Sequence, residues 1–331
     1  MAEFVSSFIT GWSDVVKENI CHFLPKVKII NVYDGLIHYK YDGNSRDIEK
    51  VPYFNNNFFV LQAFSNNKTD FNKMVSVVAK KNHFYLINKG TFRIRFSKEN
   101  QFCKVDKNVS KNAENVVLKN SKLSVDRLNP STEIWYVIRR EDFSFCGQLI
   151  SKREFTEKNL NKGELRPEVA YLMCCYANIA PEDIILEPFA GYGSIPIQIS
   201  KHFNFKKMFV SDIDSERIDD LVQIKHLKKE NIVIENASVF DLPTKRSEIS
   251  CIITDPPWGY YEEIKDITKF YVDMFNSFRK MCTVDCKMII LTARVENFIE
   301  DAQKEKIHLS NRINTLINGK KASLFKCSFN S

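Results

Sequence analysis

A chain of 331 residues is too long for one small domain and suits two of ordinary size, and its 44% hydrophobic and 27% charged content excludes a disordered or fibrous protein. No stretch approaches the roughly 18 uninterrupted apolar residues of a membrane span, so a membrane partner is not expected. The net charge of +7 is uneven: residues 1–160 hold 25 Lys and Arg against 17 Asp and Glu, a net +8, whereas residues 161–331 hold 23 against 24. This distribution suits a first half that holds a polyanion for the second, the alternative being ordinary solvated surface. The opening MAEFVSSFITGWSDVV lacks the basic head and small-residue cleavage site of a secretory signal, which points to the cytoplasm, or to the nucleus in a eukaryotic host. Nine scattered cysteines with no C-x-x-C pair read as buried free thiols rather than metal ligands.

In chain order, the first half reads as an α+β module. Ser13 is placed to cap a helix whose apolar positions Val16, Ile20, Phe23 and Leu24 recur at helical spacing. Lys28 to Tyr41 carries an Asp34-Gly35 turn signal between apolar runs and predicts a hairpin. Asn57 to Phe64 reads as extended, and Thr69 is expected to open a second amphipathic helix. Thr91 to Ser97 alternates Phe92, Ile94 and Phe96 against Arg93 and Arg95, predicting a strand with one basic face. A helix over Asn112 to Lys119 and strands over Glu133 to Arg139 and Phe143 to Ile150 follow. Arg93, Arg95, Arg139 and Arg140 are the candidate phosphate contacts, with solvated strand residues as the alternative.

A charged linker over Lys152 to Lys162 separates this module from a stretch that alternates strand and helix, the mark of a wound sheet. Pro167 sits in the first turn of a helix running through Cys175. Predicted strands cover Ile184 to Leu186, Met208 to Ser211, Ile232 to Glu235, Ile249 to Thr254 and Met288 to Thr292. Predicted helices cover Ser194 to His202, Asp214 to Leu227 and Thr268 to Met281. After Phe298 to Lys304, two late extended segments, Arg312 to Ile317 and Ala322 to Phe329, flank Asn318-Gly319, which suits a hairpin.

The chemistry gathers where these strands end. Glu187-Pro-Phe-Ala-Gly191-Tyr-Gly193-Ser follows the first strand, at the carboxyl edge where a wound sheet binds ligands. Gly191 and Gly193 allow close backbone approach, and the next helix offers free amide donors. A dinucleotide loop needs a third glycine where this chain has Pro196, and the preceding Glu187 disfavours pyrophosphate; a cationic ligand with an ammonium and a sulfonium fits better. Asp212 can accept both hydroxyls of a ribose, while Asp214 suits a helix cap. Asn236-Ala237-Ser238 stands where an adenine ring would be held, with the Asn236 amide as a partner for its edge.

Asp255-Pro256-Pro257-Trp258-Gly259 is the sharpest motif. Two prolines remove two backbone donors and hold the chain extended, so that a carboxylate and carbonyl oxygens face one pocket. An exocyclic amino group on a base is a poor nucleophile, because its lone pair is delocalised into the ring. Accepting its hydrogens on Asp255 and the Pro256 carbonyl localises that pair and stabilises the developing positive charge. Trp258 can stack on an unpaired or flipped base.

Residues 163–329 resemble the class I methyltransferase domain of the THUMP-associated RNA guanine-N2 methyltransferases, in a domain expected over 163–331. The resemblance rests on GELRPEVA from Gly163, EPFAGYGSIPIQ from Glu187, SDID from Ser211 and DPPWG from Asp255. TFRIRFSKENQ and VDRLNPSTEIWYVIRRE, within Thr91 to Glu141, are similar to the end of the preceding THUMP module, and FITGWSDVVKENI more faintly to the family's opening. The resemblance implies a Rossmann-like domain with a seven-stranded, mostly parallel sheet, preceded over residues 1–155 by a ferredoxin-like and THUMP-like region that grips tRNA. It further implies S-adenosylmethionine as methyl donor, held by Glu187, Phe189, Gly191, Gly193, Asp212, Ile213, Asn236 and Ala237. Asp255, Pro256, Pro257 and Trp258 become the catalytic segment, acting on guanosine N2 without a metal. A small activating protein subunit is a further implied partner. The chain departs from the usual pattern at Glu187 (usually Asp), Tyr192 (usually small), Asn236 (often acidic) and Trp258 (usually Tyr). Because DPPW also occurs in adenine-N6 methyltransferases, methylation of adenine N6 in RNA or DNA, or of guanine N2 in another RNA, stays open. So does a non-catalytic RNA-binding protein that keeps the fold.

Overall fold

The computed structural model describes residues 1–64, 69–153, 160–242, 248–259, 264–317 and 319–329. The chain divides into two compact units, Met1–Phe8 with Lys17–Glu154, and Ile9–Val16 with Phe155–Ser331. No helix among the described residues is long and apolar enough to cross a membrane.

The first unit opens with β1 (Ala2–Ser7), α1 (Ser13–Phe23), β2 (Lys28–Tyr33), β3 (Leu36–Tyr41), α2 (Ser45–Glu49) and β4 (Asn56–Phe64). Their strands lie in the order β2-β3-β1-β4, the β-α-β-β-α-β arrangement of a ferredoxin-like module. The predicted hairpin forms, with Tyr33 opposite Leu36 and Gly35 at φ 76°, the left-handed backbone such a two-residue turn requires. Then follow α3 (Phe71–Ala79), β5 (Lys89–Lys98), β6 (Gln101–Phe102), α4 (Lys107–Asn120), β7 (Lys122–Val125), β8 (Thr132–Ile138) and β9 (Ser144–Lys152). Because β4 pairs with β9, all nine strands join one sheet, with β5 parallel to both β7 and β8. Met74 and Val78 of α3 and Val109, Ala113 and Val117 of α4 bury against Phe92, Ile134 and Tyr136. Several boundaries move. Ser13 is the first helical residue rather than a cap, Asp70 rather than Thr69 caps α3 through Lys73 N–H, and α4 starts five residues early at Lys107, capped by Asp106.

The second unit builds α5 (Pro167–Ala177), β10 (Ile184–Glu187), α6 (Ser194–His202), β11 (Lys207–Asp212), α7 (Ser215–Gln223), β12 (Ile232–Asn236), β13 (Ile249–Thr254), α8 (Ile267–Met281), β14 (Cys282–Thr292), α9 (Val295–Lys304), β15 (Ile307–Ile317) and β16 (Lys320–Phe329). The seven strands run β12-β11-β10-β13-β14-β16-β15, all parallel except β16, which is antiparallel to both neighbours. This is the expected Rossmann-like sheet. Strand order reverses between β10 and β13, so the loops after β10, β11 and β13 open on one edge at the switch point. Helix α7 stops four residues before the predicted Leu227, with Ile224 extended and a single 3-10 turn at Lys225–Leu227.

Residues 9–16 belong to this second unit by their contacts. Trp12 is fully buried, and its indole N–H donates to Thr315 Oγ1 at 3.1 Å, while that hydroxyl donates to the Thr10 carbonyl at 2.9 Å. Gly11, at φ 90°, lies so close to β15 that a Cβ would meet the Asn314 carbonyl oxygen at 2.0 Å. All nine cysteines are free thiols, but Cys21 is exposed on α1, against the expectation of burial.

Candidate active site

Strand β10 carries its last residue, Glu187, wholly into the interior. Its Oε1 accepts from Phe189 N–H at 3.0 Å and from the Thr254 hydroxyl at 2.7 Å, while Oε2 has no hydrogen-bond partner. Burial pushes this carboxyl well above the usual range against those two hydrogen bonds, and the nearby Asp255 and Asp212 push it further. Glu187 therefore underlies the loop and does not line the cavity, contrary to the expectation of a direct ligand.

The two glycines of the loop differ. Gly191, at φ 49°, faces open space, with no atom within 4 Å of where a Cβ would stand. Gly193, at φ 82°, is packed instead against α7, where a Cβ would sit 2.5 Å from Leu221 Cδ2. Only the first offers backbone to a ligand. Asp212, at the end of β11, accepts from Gly191 N–H at 2.7 Å on one oxygen and from Asp214 N–H at 3.0 Å on the other. It ties two strand-end loops together and still lines the cavity. Asp214 caps α7 as expected.

Asn236 is not at the cavity. It is exposed, and its Nδ2 donates to the carbonyls of Asp212 and Ile213 at 2.9 and 3.0 Å, with Ala237 N–H donating to Asp212 O at 3.0 Å. Both residues fasten the Asp212–Ile213 backbone. The cavity wall at this level is Ser238, Val239 and Phe240.

The cavity measures about 390 Å³, within the range of small-molecule sites. On one side lie Phe189, Gly191, Asp212 and Ile213, and on the other Asp255, Pro256, Pro257 and Trp258, so both halves of the predicted site open into one space. Burial pushes Asp255 up to about 8, the neighbouring Trp258 side chain pulling the other way. Arg294, at the start of α9, donates from Nε to the Trp258 carbonyl at 2.7 Å.

Sequence reasoning missed Arg294 because a lone arginine after a strand carries no pattern. It also passed over Arg217, whose guanidinium sits 3.9 Å above the ring of Tyr192, the loop residue that departs from the family pattern; both line the cavity. Lys162 to Leu165, at the head of the GELRP motif, and Ile317 and Lys320 of the β15–β16 hairpin complete much of the wall.

The four candidate phosphate contacts lie in the first unit. Arg93 is engaged by Glu133 through Nε at 2.8 Å and through Nη2, and Arg95 lies 3.8 Å from the same carboxylate with its guanidinium over Phe102. Arg139 is nearly buried among Glu141, Asn100 and the Asp34 carbonyl. Arg140 alone of the four is largely exposed, 79%, in an exposed pair with Glu99.

A methyltransferase family model, UPF0020 (RMKL-like, methyltransferase domain), matches residues 206–319. No curated protein sequence matches the chain. Among solved structures, TrmN from Thermus thermophilus is similar over 100% of both chains at 17% identity and a TM-score of 0.82. The second unit has the class I methyltransferase fold. SMU.472, solved in complex with SAH, is similar at 12% identity, covering 100% of this chain and 98% of that one, with a TM-score of 0.73. A predicted N6-adenine-specific DNA methylase from Listeria monocytogenes is similar at 13% identity, with 98% and 95% covered and a TM-score of 0.71.

The site suits a cationic nucleoside-bearing methyl donor. Gly191 leaves a cradle that a Cβ would occupy, and the carboxyls of Asp212, at the end of β11, and Asp255, directly after β13, line the same space. The exposed apolar faces of Ile213 and Phe240 line the same space.

Proposed function

We propose that this protein is an S-adenosylmethionine-dependent RNA methyltransferase that modifies the exocyclic N2 of a guanosine in tRNA. The observation that carries the reading is that the Gly191–Asp212 wall and the Asp255–Trp258 wall bound one cavity on the sheet's carboxyl edge. The methyltransferase family match, the fold shared with TrmN and the SAH bound to the similar SMU.472 add support.

The bound donor supplies a methyl carbon made electrophilic by a sulfonium. Gly191 presents backbone to the methionine part, Asp212 holds the ribose, and Ile213 and Phe240 flank the adenine. Glu187 acts from below, fixing the loop through Phe189 N–H. On the acceptor side Trp258 stacks on the flipped base. The Asp255 carboxylate and the Pro256 carbonyl accept the amino hydrogens and aim the nitrogen lone pair in line with the methyl group. The donor's carbon–sulfur bond would break as the carbon–nitrogen bond forms, releasing the neutral thioether, and the Asp255 carboxylate is the residue that would take up the N2 proton. In an empty cavity a carboxyl displaced to about 8 is largely protonated at neutral pH. A positive charge alongside it favours the ionised form that this role needs.

The first unit, with its ferredoxin-like module and a following THUMP-like portion, grips the tRNA, and Arg140 is the exposed arginine best placed for a phosphate. A small activating subunit and a cytoplasmic location, or a nuclear one in a eukaryote, complete the proposal. Incubation with tRNA and labelled donor followed by nucleoside mass spectrometry is expected to yield N2-methylguanosine. Trp258 favours one second reading, adenine N6, and N6-methyladenosine as sole product would replace the guanine assignment with it. A calorimetric titration showing no donor binding would leave a non-catalytic RNA-binding protein.

A further inference from the structure

We infer that Arg294 is the positioning residue that fixes the Asp255–Gly259 segment for the acceptor base, an inference that rests on the methyltransferase reading above. Pro256 and Pro257 contribute no N–H, so the segment depends on donors that reach its carbonyls from elsewhere. The Arg294 Nε is such a donor, 2.7 Å from the Trp258 oxygen.

Its own position is over-determined. Arg294 N–H donates to Thr292 Oγ1 at 2.9 Å, and that hydroxyl is 2.8 Å from the Tyr271 hydroxyl; both partners are wholly buried. Phe298 N–H closes the first turn of α9 on the Arg294 carbonyl at 2.9 Å. As the residue preceding that helix, Arg294 makes no side-chain cap bond to it; its guanidinium reaches across to the DPPW segment. A rigid path thus runs from α8 through the end of β14 to the carbonyl of the residue whose ring would stack on the base. Gly259, at φ 71°, turns the chain immediately after the clamped carbonyl.

The test pairs R294M, which keeps the reach and loses the donor, with R294K, which restores one donor. The chain has three tryptophans, so 5-fluorotryptophan labelling gives three fluorine resonances, and W258F assigns the relevant one. R294M is expected to move or broaden the Trp258 resonance and lower kcat with tRNA by about 100-fold, the scale of an ångström-level misplacement. Calorimetric affinity for S-adenosylmethionine should stay within about three-fold of wild type, and R294K should recover at least about ten-fold of the lost rate. The inference is overturned if the Trp258 resonance does not move in R294M, if R294K is as slow as R294M, or if donor affinity falls in parallel with kcat. Should R294M fail to fold, R294Q is read by the same criteria. A wild-type protein that binds no donor and methylates no RNA would defeat the functional reading alone, since the Trp258 resonance still decides whether Arg294 holds the segment.

Discussion

In the proposed reaction the chemistry turns on Asp255, and its carboxyl gives two measurable signatures. Asp255→Ala should lower kcat by about 10² to 10³-fold while leaving donor affinity nearly unchanged, the pattern of an interaction made mainly in the transition state; single-turnover methyl transfer and calorimetry separate the two. The second signature is pH. A carboxyl whose folded value is pushed up to about 8 from 3.8 disfavours its charged form in the folded protein. Its contribution to stability is therefore fully present below about pH 4 and is lost as pH rises through 8. The buried Glu187 shifts in the same direction. Thermal unfolding of the ligand-free protein should show stability declining from pH 5 to 9, less steeply in Asp255→Asn. Conversely kcat/KM for the methyl donor, which reports the ligand-free protein, should rise through about pH 8, where the acceptor form appears, and this limb should be absent in Asp255→Asn. These side chains were legible in sequence because they sit in a rigid motif. Arg294 was not, since its function depends on a contact across 36 residues.

At the scale of elements, the strand-end loops were readable from glycine, proline and acidic residues after apolar runs, but their division of labour was not. Whether a glycine faces a ligand or a neighbouring helix depends on which element lies above it. Gly191 and Gly193 give opposite answers two residues apart. Gly193→Ala combines a strained φ with the Leu221 collision and should destabilise by about 1–3 kcal/mol in urea unfolding. Gly191→Ala should cost only about 1 kcal/mol for its backbone while intruding on the cavity, and so should weaken donor binding more than stability. Equal effects of both substitutions on donor affinity would contradict this division. The elements that escaped detection are short. β1 offers only the Phe4-Val5 pair between polar ends, and α2 is five residues, too few for a helical period to show. β1 nevertheless pairs with both β3 and β4, since its place in the sheet is set by partners far along the chain.

For the whole molecule, the charge imbalance between the two halves was visible in composition, but the arginines that express it were not distinguishable from those consumed in folding. Glu133 occupies Arg93 and Arg95, and Arg139 is nearly buried, whereas Arg140 remains exposed. Arg140→Ala should therefore reduce the slope of log affinity for tRNA against log salt by about one, with little change in unfolding midpoint. Arg93→Ala should instead destabilise the protein, because it leaves Oε1 of the nearly buried Glu133 without its arginine donor, only Oε2 keeping the Trp135 indole N–H at 2.7 Å. The linear order of sequence suggested two consecutive segments, yet residues 9–16 belong with the second unit. The bond from Trp12 to Thr315 spans 303 residues. At roughly 5–20 residues per second of synthesis, Trp12 is made about 15–60 s before its partner. During translation that indole waits without its native cover, and the unit that carries the cavity cannot finish assembling until the final hairpin has emerged.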